Sequence, residues 1–214
     1  MSEQLGKIEK PFADDYRAGR KLYFVPLLFI PVNPKPELEG LVNMYWGQVD
    51  TQVANLETKL SKVTKVYHEL ISTGGQEGVK SLEELNKASY QIVKARLDKG
   101  AELHSIETVE LFTEFMDWSK CMAVGLDNPK VFDKVWEFYS EAKKKREENI
   151  SKQIDESLKS GEAGILLMRE GHAVQFSNDI QVFYVSPPAL DEIKRWFRER
   201  ERQMEPKGDN ASQN

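Results

Sequence analysis

The sequence has one cysteine and three histidines among its 214 residues. A lone thiol cannot close an internal disulfide, so the fold must rest on apolar burial, which a chain of this length can supply without staples. No HExxH or CxxC spacing occurs, and no glycine-rich phosphate loop leads from a strand into a helix. A G-x-S-x-G elbow is also missing, which removes sequence support for a common α/β serine hydrolase. The single cysteine, Cys121, falls among Phe112, Phe115, Trp118 and Met122 at helical spacing and is expected to be a small buried hydrophobe.

Long apolar runs are scarce as well. The longest, residues 22–32, contains two prolines and is far short of the roughly 20 residues that cross a bilayer as a helix. The first ten residues are polar, without an apolar signal core, so the cytoplasm is the expected compartment and no membrane is expected as partner. An excess of basic charge is absent too: the net charge is −5, and a nucleic-acid partner is not expected.

What is present suits a folded domain: 40% hydrophobic and 30% charged residues. Residues 1–18 lack periodicity and read as a flexible N-terminal segment, residues 204–214 as a disordered tail, and residues 19–203 as one domain. The run LYFVPLLFI at residues 22–30 predicts a first strand, with Pro26 arguing for an edge or a bulge. From Pro36, apolar residues recur every three or four positions as far as Leu60, predicting a long helix. Residues 63–71 read as a second strand, and one helix is predicted from Leu82 to Gly100. Residues 101–106 are a short third strand candidate, followed by a helix through Phe115 and Trp118.

Asn128-Pro129 is a good helix start, since Asn accepts from free N–H groups and Pro is tolerated in the first turn. The helix should reach about Ser160 with a stripe through Val131, Val135, Tyr139, Ala142, Arg146, Ile150, Ile154 and Leu158. Residues 164–168 and 180–185 are short continuous apolar runs expected of central strands. Pro187-Pro188 opens a last helix whose buried face is Leu190, Ile193, Trp196 and Phe197. Tyr45, Trp46, Trp118, Trp136 and Trp196 are expected in the core. The alternation predicts an α/β, helix-rich single domain with helices on a small, partly parallel mixed sheet of four to five strands.

All three histidines sit beside glutamate: His68 next to Glu69, His104 between Glu102 and Glu107, and His172 two residues after Glu170. Ligands in open α/β sheets lie beyond the carboxyl ends of the strands, where His68, Glu69, Glu170 and His172 are expected. Imidazole and carboxylate together suit acid–base work near neutral pH or a divalent metal, though histidines near glutamates are also common on acidic surfaces. Arg146 interrupts an apolar stripe and needs a partner if buried: an ion pair, or packing of its stem along the surface. The basic run Lys143-Lys144-Lys145-Arg146, flanked by Glu147 and Glu148, reads as a solvated helix face.

The helix carrying Arg146, Ile150, Ile154 and Leu158, the strand at residues 164–168 and then Gly171-His172 resemble the closing motif of the superfamily of TraB-like proteins and erythromycin-esterase-like hydrolases. The segment Val66-Tyr67-His68-Glu69-Leu70 is similar to the second-strand glutamate segment of that superfamily. The resemblance covers about a third of the chain and implies an α/β domain with acidic residues and histidines at strand ends. The first strand differs, leading into Pro31-Val32-Asn33-Pro34 where the superfamily has a glycine- and histidine-bearing loop.

Two functions are compatible with these residues. One is a helix-mediated interaction or assembly protein, with a homo-oligomer or another protein as partner, using the long helix from Pro129 or the charged end of the last helix. The other is a metal-dependent or acid–base hydrolase-like protein whose strand-end cleft holds His68, Glu69, Glu170 and His172 with Arg146 behind them. No cofactor is called for; a divalent metal is compatible with the second function.

Overall fold

A computed structural model describes residues 19–31 and 33–204. The segment expected to be flexible at 1–18 and the tail expected at 204–214 lie outside the described residues, apart from Met204, which ends the last helix. In chain order the elements are β1 (Arg20–Pro26), α1 (Pro36–Lys59), β2 (Val63–His68), α2 (Gly75–Leu85), α3 (Lys87–Leu97), β3 (Glu102–His104), α4 (Val109–Ala123), α5 (Pro129–Ser157), β4 (Ala163–Met168), β5 (Ile180–Tyr184) and α6 (Pro188–Met204). The strands form one sheet in the order β3-β2-β4-β1-β5, and every pairing is parallel, so the parallel character expected from the alternation extends across the whole sheet.

The period-2 alternation of the strands sends successive side chains to opposite faces. On one face Tyr23, Val25, Val66, Ile165 and Leu167 join residues of α1, α3 and α6 in the larger core. On the other, Leu22, Phe24, Tyr67, Leu166 and Met168 pack under Ile150, Ile154 and Leu158 at the end of the long helix and its cap. All six residues of β4 are buried, as its central place requires. Gly164 makes this possible, because a Cβ there would lie 2.8 Å from the Tyr67 ring.

Several local expectations change. β1 lies inside the sheet rather than at its edge: Pro26 is the last residue of the strand, and the next N–H, that of Leu27, reaches Met168 O at 2.9 Å. The run at residues 180–185 forms the edge strand β5, with Val182 and Tyr184 exposed, because a continuous apolar run does not say how many neighbours the strand has. The helix predicted from Leu82 to Gly100 is two helices, since Asn86 leaves helical geometry and its side chain caps α3 by accepting from Ser89 N. Asn128 caps α5 as expected.

Cys121 is exposed rather than buried, and so is Trp136. The cause is shared: α4 and the first half of α5 pack mainly on each other as an arm beside the sheet, and one partner helix cannot cover both of their apolar faces. Tyr45 and Trp46 are in the core, while Trp118 and Trp196 are half-buried.

Candidate functional site

β2 and β4 are parallel neighbours with His68 opposite Leu167, so the chain leaves both strands at the same rim. Glu69 N still reaches Leu167 O at 2.9 Å. Leu70 then turns the chain with φ 75°, a left-handed conformation unusual for a leucine. On the β4 side Arg169 follows the strand, and Gly171 turns with φ 79° to present His172. The expected meeting of the two segments at one rim is therefore what the fold produces.

Side chains meet there as an ionic chain, buried at Glu107, Arg146 and Glu69 and partly exposed at Arg169. The Glu69 carboxylate accepts from Arg146 Nη2 at 2.9 Å, from Arg169 Nε at 3.0 Å and from the Arg169 backbone N–H at 2.8 Å. Glu107, in the loop between β3 and α4, takes the other side of Arg146: Nε lies 3.0 and 3.1 Å from its two oxygens, and Nη2 also donates to it. The guanidinium of Arg146 sits 4.7 Å from the centre of the Phe115 ring and is 3% exposed. Among the described residues no group bonds its remaining nitrogen, Nη1.

The two carboxylates respond differently. Burial would raise the pKa of Glu69, but the Arg169 backbone N–H, the charges of Arg169 and Arg146 and their hydrogen bonds outweigh it and lower it. Burial wins at Glu107, where Arg146 only partly offsets it and the charge of Glu69 adds to the rise.

In front of this chain lies a cleft of about 190 Å³, walled by Phe115, Tyr139, Arg146, Arg169 and His172. His172 stands tilted on Phe24 with ring centres 5.0 Å apart, and its Nδ1 accepts from Val174 N at 3.2 Å. Burial lowers its pKa, opposed by Glu147 and Glu69, so the ring is neutral near pH 7 and the proton resides on Nε2. Glu147 accepts from Ala173 N at 2.8 Å, and Lys143 reaches Gly171 O at 3.5 Å.

Among the five candidates from the sequence, Glu69, Arg146 and His172 are gathered at the cleft. Glu170 borders it, but its carboxylate turns to Lys194 Nζ at 2.7 Å and to the Tyr184 hydroxyl. His68 departs from the expected cluster: alternation turns it to the opposite sheet face, where Nδ1 donates to Glu69 O and Nε2 lies 3.1 Å from Ser89 Oγ on α3. Burial pushes its pKa down to about 4, against the opposing pull of the Glu69 carbonyl and charge. His104 pairs with Glu102 at 3.3 Å, away from the cleft.

The chain matches no family model, no curated protein and no solved structure. Function must therefore be argued from the side chains themselves. Two of them, Glu107 and Arg169, were not among the site candidates of the sequence reading. Arg169 had a local signal, being the first charged residue after an apolar run and adjacent to Glu170-Gly171-His172. Glu107 stood out only as a neighbour of His104, with nothing to connect it to Arg146. Among the described residues no group of three or more His, Cys, Asp or Glu side chains is placed to hold a metal ion. The two most buried carboxylates here, Glu69 and Glu107, are already neutralised by guanidinium groups.

Proposed function

We propose that the rim cleft is the working site, and that it performs hydrolase-like acid–base chemistry on a small oxygen-bearing molecule such as an ester or amide. What carries this is the buried triad Glu107–Arg146–Glu69, joined by the partly exposed Arg169, at the carboxyl edge of a parallel sheet. Taking Glu107, Arg146 and Glu69 out of water costs several kcal/mol per ion, and such arrangements are weak devices for stability alone. Ligand sites of open α/β sheets lie at this edge, and the left-handed Leu70 beside Glu69 is the kind of local strain that gathers at working sites.

The roles follow from donors and acceptors. Arg146 Nη1 and the His172 Nε2–H supply hydrogen bonds to a substrate oxygen that gains negative charge. Glu147, with one oxygen held by Ala173 N, offers the other as acceptor for a proton from water. Arg146, Arg169 and Lys143 are balanced by Glu69, Glu107 and Glu147, so the cleft favours a neutral or singly charged ligand over a phosphate-rich one. Glu69, Arg146 and His172 also carry the resemblance to the TraB-like and erythromycin-esterase-like superfamily, which supports the same reading. A panel of p-nitrophenyl esters and anilides tests it: turnover above background should fall at least about 100-fold in His172→Ala. No turnover of any member, with no saturable binding, would end the idea.

A second reading is favoured by the arm, where Val109, Val124, Val131 and Phe138 are exposed. Exposed apolar residues gathered on one element mark contact surfaces, and we propose a second copy of the chain as its partner. Sedimentation equilibrium decides: a strictly monomeric particle at 100 μM or so rejects it.

A further inference from the structure

The cleft does not end at Tyr139. A groove of about 590 Å³ adjoins it along α5, sharing Tyr139, Lys143 and Glu147 with the cleft and reaching Trp136. The rings of Tyr139 and Trp136 line it together with Lys144 and Glu148, and they belong to a series of aromatic contacts that extends beyond the groove at both ends. Phe132 stacks on Trp136 with centres 6.4 Å apart, Trp136 stands 5.7 Å from Tyr139, Tyr139 stands 5.7 Å from Phe115, and Phe115 lies under Arg146. Phe132 and Trp136 are 41% and 51% exposed, so their rings are open to a ligand.

The inner cleft has room for about six water-sized groups at ~30 Å³ each, enough for a polar head and little more. The groove is three times larger and leads outward past the rings of Tyr139 and Trp136. Its opposite wall, at Ala173 and Gln175, has already used three of the four backbone groups that an extended peptide would need: Ala173 N donates to Glu147, Ala173 O accepts from Gln175 Nε2, and Gln175 O accepts from Ser151. A strand-like peptide therefore finds little of a ladder there, whereas an unbranched apolar tail requires none.

Building on the rim cleft as the ligand site, we propose that the substrate is an acyl compound with an apolar tail, its carbonyl or carboxyl head at Arg146 and His172 and its tail on the rings of Tyr139 and Trp136, the latter backed by Phe132. A medium- to long-chain fatty acyl ester or amide has this shape. The head is met by donors, the tail by rings, and the change from one to the other occurs at Tyr139.

Calorimetric titration of the full chain with butanoate, octanoate and decanoate, kept below their micelle concentrations, tests the length rule. A half-open groove should raise affinity about twofold for each added methylene, less than the fourfold of full burial. In Trp136→Ala, an exposed position whose loss leaves the core intact, octanoate and decanoate should weaken at least fivefold while butanoate is unchanged. Butanoate binding without any dependence on length overturns the tail site and leaves the rim cleft standing. Length dependence undiminished in both Trp136→Ala and Phe132→Ala also overturns it. Turnover of short esters without binding of any longer acyl chain rejects the acyl-tail substrate alone, and absence of both removes the rim cleft with it.

Discussion

Arg146 and Glu107 hold each other in a bidentate contact, with Nε 3.0 and 3.1 Å from the two carboxylate oxygens and Phe115 covering the guanidinium. Because Arg146 also reaches Glu69, removing it leaves Glu107 buried without a counter-charge and Glu69 held by Arg169 alone. Arg146→Met is expected to cost about 3–5 kcal/mol in urea unfolding. Glu107→Gln, which keeps the shape and leaves Arg146 paired with Glu69, should cost less than half as much. Equal losses would show that Glu69 and Glu107 do not share the arginine.

Acid should weaken the fold before the carboxylates titrate. The folded pKa of His68 is lowered to about 4 from 6.5, so its stabilising contribution is complete above pH 6.5 and is lost as pH falls toward 4. The loss is at most about 3 kcal/mol, from ~1.4 kcal/mol per pH unit. His172, lowered in the same direction by burial, acts with the same sign. Urea midpoints measured from pH 7.5 to 4.5 should fall steeply in the native chain and more shallowly in His68→Asn; parallel curves would contradict the burial of His68.

Glu69 extends the acid sensitivity below that window, since its lowered pKa stabilises the fold above the ordinary carboxylate range and fails as pH drops through the folded value. Glu107 has the opposite sign: its raised pKa stabilises below the ordinary range and is lost as pH climbs through the folded value. Carbon-13 NMR of the two side-chain carboxyls should therefore show Glu69 titrating below Glu107. The reverse order would break the electrostatic account of the rim.

The left-handed backbone of Leu70 calls for a residue that tolerates φ 75°. A β-branched side chain does not, and Leu70→Val should destabilise by about 1–3 kcal/mol. Leu70→Asn should lie within about 1 kcal/mol of the native chain, because Asn adopts this region readily and the leucine is only half-buried. Thermal unfolding of both variants checks the ranking.

At Gly164 a new Cβ would meet Tyr67 at 2.8 Å and Leu22 at 3.3 Å in the middle of the sheet. Gly164→Ala is expected to cost about 1–3 kcal/mol by overpacking. Combining it with Tyr67→Leu should recover part of that loss relative to the sum of the two single changes. Strict additivity in denaturation would mean that the ring is not the obstacle.

Much of the architecture was legible before any coordinates. The periodicity of residues 36–60 and 129–160 became α1 and α5, Asn128-Pro129 began a helix, and residues 164–168 became a fully buried strand. These signals are local, since which side of a helix or strand meets the core is written in neighbouring residues. Errors came where a local signal had two outcomes. Cys121 and Trp136 sit at apolar helical positions, yet among the described residues no second element covers them. Asn86 was overlooked as a cap inside an apolar pattern.

The sequence by itself determined the order of helices and strands and nominated Glu69, Arg146 and His172 as residues with chemistry. Which charges meet was decided only by the tertiary structure: Glu107 lies 39 positions and Glu69 77 positions from Arg146. The reason is that a charge carries no periodic mark of its partner. An apolar residue needs only the nearest covered face, whereas a buried arginine needs particular carboxylates, and those arrive only when distant loops are brought to one rim by strand pairing.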